Sequence, residues 1–393
     1  MNFTQEQITE ILQEVANEKG GFNTILKVAL EVLMNAERKI FQAENEVYAN
    51  GFRTRKISGF GKELALSVPR TRSGDFYPVL LGILRDENEE RNKLIFSLYS
   101  KGLTTEQIGS VYSEVYGKEY SKAQISFLMQ EAREETSIWL ERKLDPHYLV
   151  IYIDATYVST RRDNSVSKEA YYSILGIKTD GTREVLSVIN HPTEGAGLWE
   201  NELKELKKRG VESIGLVVSD GLTGIENAVA KAYVGTYHQL CVVHFKRNIT
   251  KLFPNKLQKE INDELKEVFL IDTTTDTPIT GFNRLGKFID KYEKKYPSIK
   301  SFRNERNIYY FTYTQFPWHV QRMIYSTNWI ERLNRDYKRV LKMRGAMPNS
   351  ESVLFLMGSV AMENTSTCYS YKIAGFSDVE LLKSKKTNEK PRE

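Results

Sequence analysis

The spacing of apolar residues predicts helices in the first third of the chain. In residues 1–50, apolar side chains recur every three or four positions, which predicts two helices. The same spacing in residues 92–135 is broken at Gly102 and Gly117, and residues that cap helices follow both glycines. This stretch is therefore predicted to hold three helices in the order found in a helix-turn-helix.

The pattern changes to strands after residue 146. Residues 148–157 form an almost continuous apolar run, which indicates a buried strand. Residues 170–178 and 183–190 flank a turn that contains glycine, which indicates a hairpin. A helix, a strand, a helix and a strand are predicted next, over residues 198–208, 214–219, 222–233 and 237–245. This order predicts an α/β fold with a mixed sheet.

The later part of the chain returns to helical patterns. Residues 249–320 are mostly helical in pattern and rich in lysine and aromatic residues, and residues 329–344 have helical spacing. The tail from residue 383 is polar and basic, and this composition predicts that the tail is disordered. Six regions result: N-terminal helices (1–50), a basic hairpin with helix-turn-helix-like helices (51–145), the first part of an α/β core (146–248), a helical insertion (249–320), the last part of the core (321–365) and a basic tail (366–393).

Composition narrows the class of protein. The 393 residues are 40% hydrophobic and 27% charged, which excludes a disordered or low-complexity chain. Cys241 and Cys368 are too few for a disulfide framework, which suits a reducing compartment, and no run reaches the length of a membrane span. We therefore expect a cytoplasmic protein without a membrane partner. The net charge of +5 is too small to indicate a polyanionic ligand, so the distribution of charge must be examined.

Two segments concentrate positive charge. Residues 52–72 carry six basic residues against one acid and have the alternation of a hairpin. The basic residues are Arg53, Arg55, Lys56, Lys62, Arg70 and Arg72. This hairpin is either a solvated surface loop or an element that contacts phosphates. In the third predicted helix of 92–135, Lys122 and Gln124 stand where a recognition helix meets base edges, although such helices also occur in any α domain.

Acidic residues occupy two predicted strands. Asp154 interrupts the apolar run 148–157, and Asp220 ends the strand 214–219. A charge inside a buried strand is costly unless something compensates it, and the carboxyl end of a strand is where α/β sheets bind ligands. The alternatives are a salt-bridged aspartate and, for Asp220, a cap on the helix that follows. If the two acids share one sheet, they are suited to a magnesium site.

Glu331 is the candidate for a third acid. It lies on the helix predicted after Asn328, on the same face as Asn334, Arg335 and Lys338, while the opposite face is apolar. Residues 321–344 hold seven basic residues and two acids, so this face is suited to DNA, with Arg332, Arg335, Lys338 and Arg339 as phosphate contacts. The alternative is a solvated helix in which Glu331 pairs with Arg335. Three acids that hold two metal ions would support in-line displacement at phosphorus.

Cys241 and His244 form a Cys-x-x-His sequence. No second ligand pair follows at zinc spacing, so a zinc site is not predicted. In the predicted strand 237–245, His238 and His244 share one face. They are either structural or orient neighbouring parts of the site.

The chain resembles the insertion sequence 256 family of bacterial transposases, part of the Mutator superfamily, from about Gly51 to Met357. The segments that carry the resemblance are RTRKISGFGKELALSVPR, LDPHYLVIYIDATYV, EGAGLWENELKELKKRGV, VVSDGLTGIENAV, QLCVVHFKRN and YSTNWIERLNRDYKR. The resemblance implies an RNase H-like core with a DDE triad at Asp154, Asp220 and Glu331, interrupted by a helical insertion. Cys241 and His244 match the family's Cys-x-x-His signature.

The motif around the third acid also matches, with one departure. Asn328, Arg332 and Asn334 fall on it, but Lys338 and Arg339 stand where two arginines are more usual. The resemblance implies a transposase that binds the terminal inverted repeats of its insertion sequence, with residues 51–145 as the DNA-end-binding region. It would cleave DNA and transfer the 3′-hydroxyl by a copy-out, paste-in route.

The mechanism that the resemblance implies requires a metal cofactor and DNA partners. We expect two Mg²⁺ ions, which Mn²⁺ can replace, double-stranded DNA as end and target, a homodimer on DNA, and no small-molecule substrate. Trp318 is either a platform for an unpaired base or a buried core residue. The alternative functions are a catalytically silent DNA-binding regulator and an RNase H-like nuclease without strand transfer.

Overall fold

A computed structural model describes residues 21–376, apart from 60–61, 117–119, 164, 192–195, 223 and 343. The chain divides into two compact units, Met1–Ala132 and Arg133–Glu393. The division falls inside a helix, Lys122–Glu141, and so within the region 51–145. The first helix predicted in residues 1–50 and the basic tail from residue 383 lie outside the described residues. No helix in the described ranges is long and apolar enough to cross a membrane.

In its described residues, the first unit begins with a helix packed on a two-stranded sheet. Helix α1 (Gly21–Asn45) is followed by the antiparallel strands β1 (Ala49–Gly59) and β2 (Lys62–Thr71), which confirms the predicted hairpin. Leu30 and Met34 of α1 are buried against alternate residues of β2, because residues two apart on a strand face the same side.

Three helices follow and confirm the predicted order, the last of them continuing into the second unit. They are α2 (Val79–Ser100), α3 (Thr105–Tyr116) and α4 (Lys122–Glu141). Thr104 and Ser121 precede α3 and α4, and each exchanges side-chain hydrogen bonds with the glutamine three residues later. These capping boxes satisfy backbone N–H groups that the first turn leaves free.

Two helix ends differ from the prediction. Helix α2 begins at Val79 rather than near residue 92, because the intervening sequence RDENEER has no apolar position from which spacing can be read. Helix α4 continues to Glu141 rather than ending at residue 135. Thr136 is buried and packs closely against Gly358: a Cβ added to this glycine would lie only 2.7 Å from the Thr136 side chain. Packing within the second unit therefore supports the extra turns.

A five-stranded mixed sheet forms the centre of the second unit. Its strands are β3 (His147–Arg162), β4 (Ser165–Lys178), β5 (Arg183–Asn190), β6 (Ser213–Ser219) and β7 (Tyr237–Leu240). Their order is β5-β4-β3-β6-β7; β4 is antiparallel to both β3 and β5, whereas β6 is parallel to β3 and β7. This arrangement confirms the α/β class with a mixed sheet. The central strand β3 is paired on both sides, which explains its long apolar run.

The two faces of β3 meet different helices. Ile151 and Ile153 belong to the core formed with α5 (Ala196–Lys208) and α6 (Ile225–Ala232). Because side chains alternate along a strand, Asp154 points to the opposite face. There β3 packs against α11 (Asn328–Lys342), and the last helix, α12 (Ser350–Ser366), packs on β5.

The strand predicted over residues 237–245 is wrong in its second half. Strand β7 ends at Leu240, Cys241 stands at the N-cap position, and helix α7 (Val242–Thr250) follows. Val242, Phe245 and Ile249 are buried at helical spacing, and this spacing competes with strand alternation in so short an apolar run. His238 and His244 therefore do not share a strand.

The ordered elements of residues 251–320 are all helical. They are α8 (Gln258–Val268), α9 (Pro278–Tyr292), the start of α10 (Trp318–Ile324) and three 3₁₀ segments, Asn255–Leu257, Pro297–Phe302 and Glu305–Gln315. Gln239 of β7 joins this insertion to the sheet. Its Nε2 donates to the Tyr310 carbonyl at 3.0 Å, and its Oε1 accepts from the Tyr313 backbone N–H at 2.7 Å.

Replacing Gln239 with alanine should destabilise the protein. The side chain is fully buried, so its loss removes the hydrogen bonds that it makes with a backbone N–H and a carbonyl of the insertion. We expect the free energy of unfolding to fall by about 2–4 kcal/mol, measured by urea denaturation. Gln315→Ala, at an exposed glutamine of the same segment, should change it by less than about 0.5 kcal/mol. Equal effects of the two substitutions would show that Gln239 does not hold the insertion.

Candidate active site

One cleft of about 530 Å³ in the second unit contains all three predicted acids. Its lining residues are Asp154, Ala155, Tyr157, Asp220, Gly221, Leu222, His244, Arg247, Asn248, Glu331, Asn334, Arg335 and Lys338. Strand β3, the end of β6, helix α7 and helix α11 contribute these residues. Acids far apart in the sequence are therefore brought together at one edge of the sheet.

Asp154 is the most buried of the three acids. Its side chain lies in the middle of β3 and is 8% exposed. Its Oδ1 accepts from the Ala155 backbone N–H at 2.9 Å, and its Oδ2 accepts from Asn334 Nδ2 at 2.8 Å. Burial nevertheless raises the pKa of Asp154 to about 6, although the Ala155 N–H and the charge of His244 oppose that rise.

Asp220 follows β6 directly and is held in a tight turn. Its Oδ1 accepts from the Gly221 backbone N–H at 2.7 Å. Helix α6 begins at Ile225 after Gly224 and has no side-chain cap, so the alternative in which Asp220 caps this helix is wrong. Arg306, from the insertion, donates to the Leu222 carbonyl at 3.0 Å and pairs with Glu226. The insertion thus fixes the loop that carries the second acid.

Glu331 lies in the first turn of α11 and meets a histidine. Its Oε1 is buried without a hydrogen bond and lies 4.0 Å from His244 Nε2, while His244 Nδ1 lies 3.6 Å from Asp220 Oδ2. In the part of the chain that the structure describes, Glu331 therefore has His244, and not Arg335, as its ion-pair partner. The contact with Cys241 and the charges of Asp220 and Asp154 raise the pKa of His244 to about 9. A cationic imidazole thus separates the second and third acids at neutral pH.

Asn334, a predicted DNA contact, lines the cleft and binds the first acid. It is buried on α11, three residues after Glu331, and its amide binds Asp154. Arg335 and Lys338 do face the cleft with exposed side chains, and Arg332 and Arg339 are exposed on the same helix. Arg339 pairs with Asp336 at 3.5 Å.

Arg247 and Asn248 line the cleft and were missed in the sequence. They lie one turn after His244, which a strand assignment could not reveal. The helical spacing of Val242, Phe245 and Ile249 was the available signal. Asn328, the first residue of α11, is exposed. Trp318 is 54% exposed, so it is not a buried core residue, and its stacking on a base remains a prediction.

The predicted DNA contacts of the first unit whose side chains the structure describes are exposed. Arg53 and Arg55 lie opposite Val68 and Leu66 on the hairpin, and therefore on one face of it. The remaining exposed members are Lys56, Arg70, Arg72, Lys122 and Gln124. Lys122 pairs with Glu106 at 2.9 Å, and Gln124 also accepts the bond from Ser121 that closes the capping box.

The cleft offers the type of ligand, carboxylate oxygen, that suits a divalent metal ion. Three carboxylates face the cleft, and one oxygen of Glu331 has no hydrogen bond. Their arrangement does not yet form a metal site: among the described residues, no three His, Cys, Asp or Glu side chains converge closely enough to hold one ion. The carboxylates would have to approach one another to share a cation.

Comparison with known proteins gives consistent matches. The family model described as "Transposase, Mutator family" matches residues 2–370. A transposase for insertion sequence element IS905 of Lactococcus lactis is 30% identical over 88% of this chain and 90% of its own length. The IS1201 transposase of Lactobacillus helveticus is also 30% identical, over 92% and 96%. The transposase for IS256 in transposon Tn4001 of Staphylococcus aureus is 28% identical over 91% and 93%.

A buried histidine of the last strand, His238, should make stability depend on pH. His238 of β7 is buried, with its Nε2 2.9 Å from the hydroxyl of Ser219, and burial lowers its pKa from 6.5 to about 3. Below pH 6.5 the unfolded chain therefore binds a proton that the folded protein does not. We expect stability to be lost as pH falls from 6.5, by about 2 kcal/mol at pH 5 from this residue.

Urea denaturation of the His238→Gln variant at pH 7 and pH 5 tests this prediction. The variant should lose less stability between the two pH values than the wild type does. His147→Gln, at an exposed histidine, is the matched control and should keep the wild-type pH dependence. If His238→Gln also keeps it, the buried imidazole does not titrate as expected.

Proposed function

Because the chain belongs to the Mutator family of transposases, we propose that it binds the terminal inverted repeats of its own insertion sequence, cleaves DNA at those ends and joins the freed 3′-hydroxyl to target DNA. The observation that carries this proposal is the cleft, in which three carboxylates lie beside Arg335 and Lys338. Carboxylates are suited to phosphoryl transfer, and the cations are suited to the DNA backbone.

The topology of the sheet supports an RNase H-like core. Three antiparallel strands lead into two strands parallel to the first, with the first strand at the centre. The first two acids lie on neighbouring strands, β3 and β6, and the third acid lies on a helix packed against β3. We propose that the helical insertion interrupts this core between the second and third acids.

Divalent metal is part of the proposal. Asp154, Asp220 and Glu331 are the residues that would hold two Mg²⁺ ions, or Mn²⁺ in their place. Bound there, such ions would activate an attacking oxygen and stabilise a leaving one. The protein itself supplies Arg335, Lys338 and Arg247 to bind phosphates, and Asn334 to orient the carboxylate of Asp154.

We assign recognition of the element's ends to the first unit. Its hairpin presents exposed Arg53 and Arg55 on one face, and its three helices, two of them with capping boxes, have the order of a helix-turn-helix. The joining of two ends implies a homodimer on DNA, and a copy-out, paste-in route follows from the family resemblance. These finer statements extend the family assignment, which makes DNA the partner.

Strand cleavage and transfer by the full chain test the proposed function. Labelled duplexes from the DNA that flanks its own reading frame are incubated with protein and Mg²⁺. We expect position-specific nicks and joined products from the wild type. Glu331→Gln should reduce both by more than about 100-fold, because it removes a negative charge from the reacting centre. Glu351→Gln, at an exposed acid on α12, should retain wild-type rates.

Three other outcomes of this experiment would contradict parts of the proposal. Nicks without joined products would support the nuclease alternative. Specific binding without cleavage by the wild type would support the regulator. Equal cleavage by the wild type and Glu331→Gln would remove Glu331 from the active site.

The hairpin assignment has its own test in the full-length protein. Replacing Arg53 and Arg55 together with alanine should weaken binding to the end duplex and lower the slope of log affinity against log salt by about two, one for each phosphate contact. The same measurement on Lys39→Ala combined with Lys93→Ala, two exposed lysines of this unit, should leave the slope within about half a unit. Unchanged binding by the arginine variant would make the hairpin a solvated surface loop.

A further inference from the structure

The side chain of Cys241 joins two parts of the candidate active site. It is 1% exposed, and its Sγ accepts hydrogen bonds from the Thr327 backbone N–H at 3.5 Å and from Thr327 Oγ1 at 3.3 Å. Thr327 is itself fully buried. The roles described above for the cleft residues do not explain these two hydrogen bonds.

Thr327 sets the start of the helix that carries the third acid. Its carbonyl accepts from the Ile330 N–H at 3.1 Å and from the Glu331 N–H at 3.0 Å. These are the first-turn bonds of α11, so a displacement of Thr327 is transmitted to Glu331. A second link lies nearby, because the Val242 N–H donates to the Tyr325 carbonyl at 3.0 Å.

The backbone of Cys241 is connected to the second acid. Its N–H donates to the Ser219 carbonyl at 2.8 Å, and Ser219 directly precedes Asp220. One residue therefore binds the strand end of Asp220 through its backbone and the helix start of Glu331 through its side chain. His244, which separates these acids, lies one turn later, on the helix for which Cys241 is the N-cap residue.

We propose that Cys241 is a positioning residue that fixes Glu331 relative to Asp220 through Thr327. It touches neither DNA nor the reacting atoms. A thiol fits this role because its sulfur is larger than a hydroxyl oxygen and accepts bonds at longer range. The proposal rests on the proposed function for its effect on catalysis, but the hydrogen bonds that it names can be tested without catalysis.

The first measurement is amide hydrogen exchange in the metal-free protein. Cys241→Ala removes both bonds and Thr327→Val removes the bond from the hydroxyl, and both should speed exchange at the Glu331 N–H by about tenfold or more relative to the later turns of α11. Thr327→Ser keeps the hydroxyl and should restore wild-type protection. Cys368→Ala replaces the exposed cysteine and is the matched control.

The second measurement is cleavage of the end duplex by the same variants. We expect the maximal rate to fall about 10- to 100-fold in Cys241→Ala and Thr327→Val, with DNA affinity unchanged, because only the placement of Glu331 is altered. Thr327→Ser should recover most of the rate. A fall in DNA affinity with the rate intact would contradict a positioning role.

The two measurements separate the two proposals. A wild type that never cleaves DNA counts against the proposed function, whereas the exchange result still decides whether Cys241 holds α11. Wild-type exchange in both Cys241→Ala and Thr327→Val would overturn the inference. If Cys241→Ala does not fold, the comparison of Thr327→Val with Thr327→Ser makes the same decision.

Discussion

Burial of a carboxylate in the central strand is the constraint on which the rest of the site depends. Asp154 lies in an apolar run with strands paired on both sides, where an uncompensated charge costs several kcal/mol. Its own strand supplies one N–H, and Asn334 on α11 supplies another. If helix α11 packed elsewhere, Oδ2 of Asp154 would lose its hydrogen bond. The hydrogen bond that stabilises the first acid also brings the helix of the third acid to the sheet.

The same reasoning explains the insertion. Asp220 lies on a loop, which alone would not hold a carboxylate against its neighbours. Arg306 binds that loop, and Gln239 binds the insertion to the last strand of the sheet. Residues distant in sequence thus immobilise the second acid through polar bonds that are mostly buried. The insertion is therefore a structural part of the candidate site.

The sequence predicted the elements that obey a local rule. An acid in an apolar strand run, capped helices and a basic hairpin are visible because spacing and residue type determine them. His244 was misplaced because QLCVVHF satisfies strand alternation and helical spacing over too few residues to decide. Asn334 and Arg306 act through contacts that depend on how separate elements pack. No local pattern records those contacts.

The three acids of the cleft repel one another. Asp220 and Glu331 each raise the pKa of Asp154, so drawing the three carboxylates together would raise the cost further. His244 offsets part of this repulsion with one positive charge placed between the second and third acids. A single imidazolium cannot neutralise three carboxylates. Closer approach therefore requires additional positive charge, and we expect the arrangement of these side chains, rather than the backbone that carries them, to respond when that charge enters the cleft.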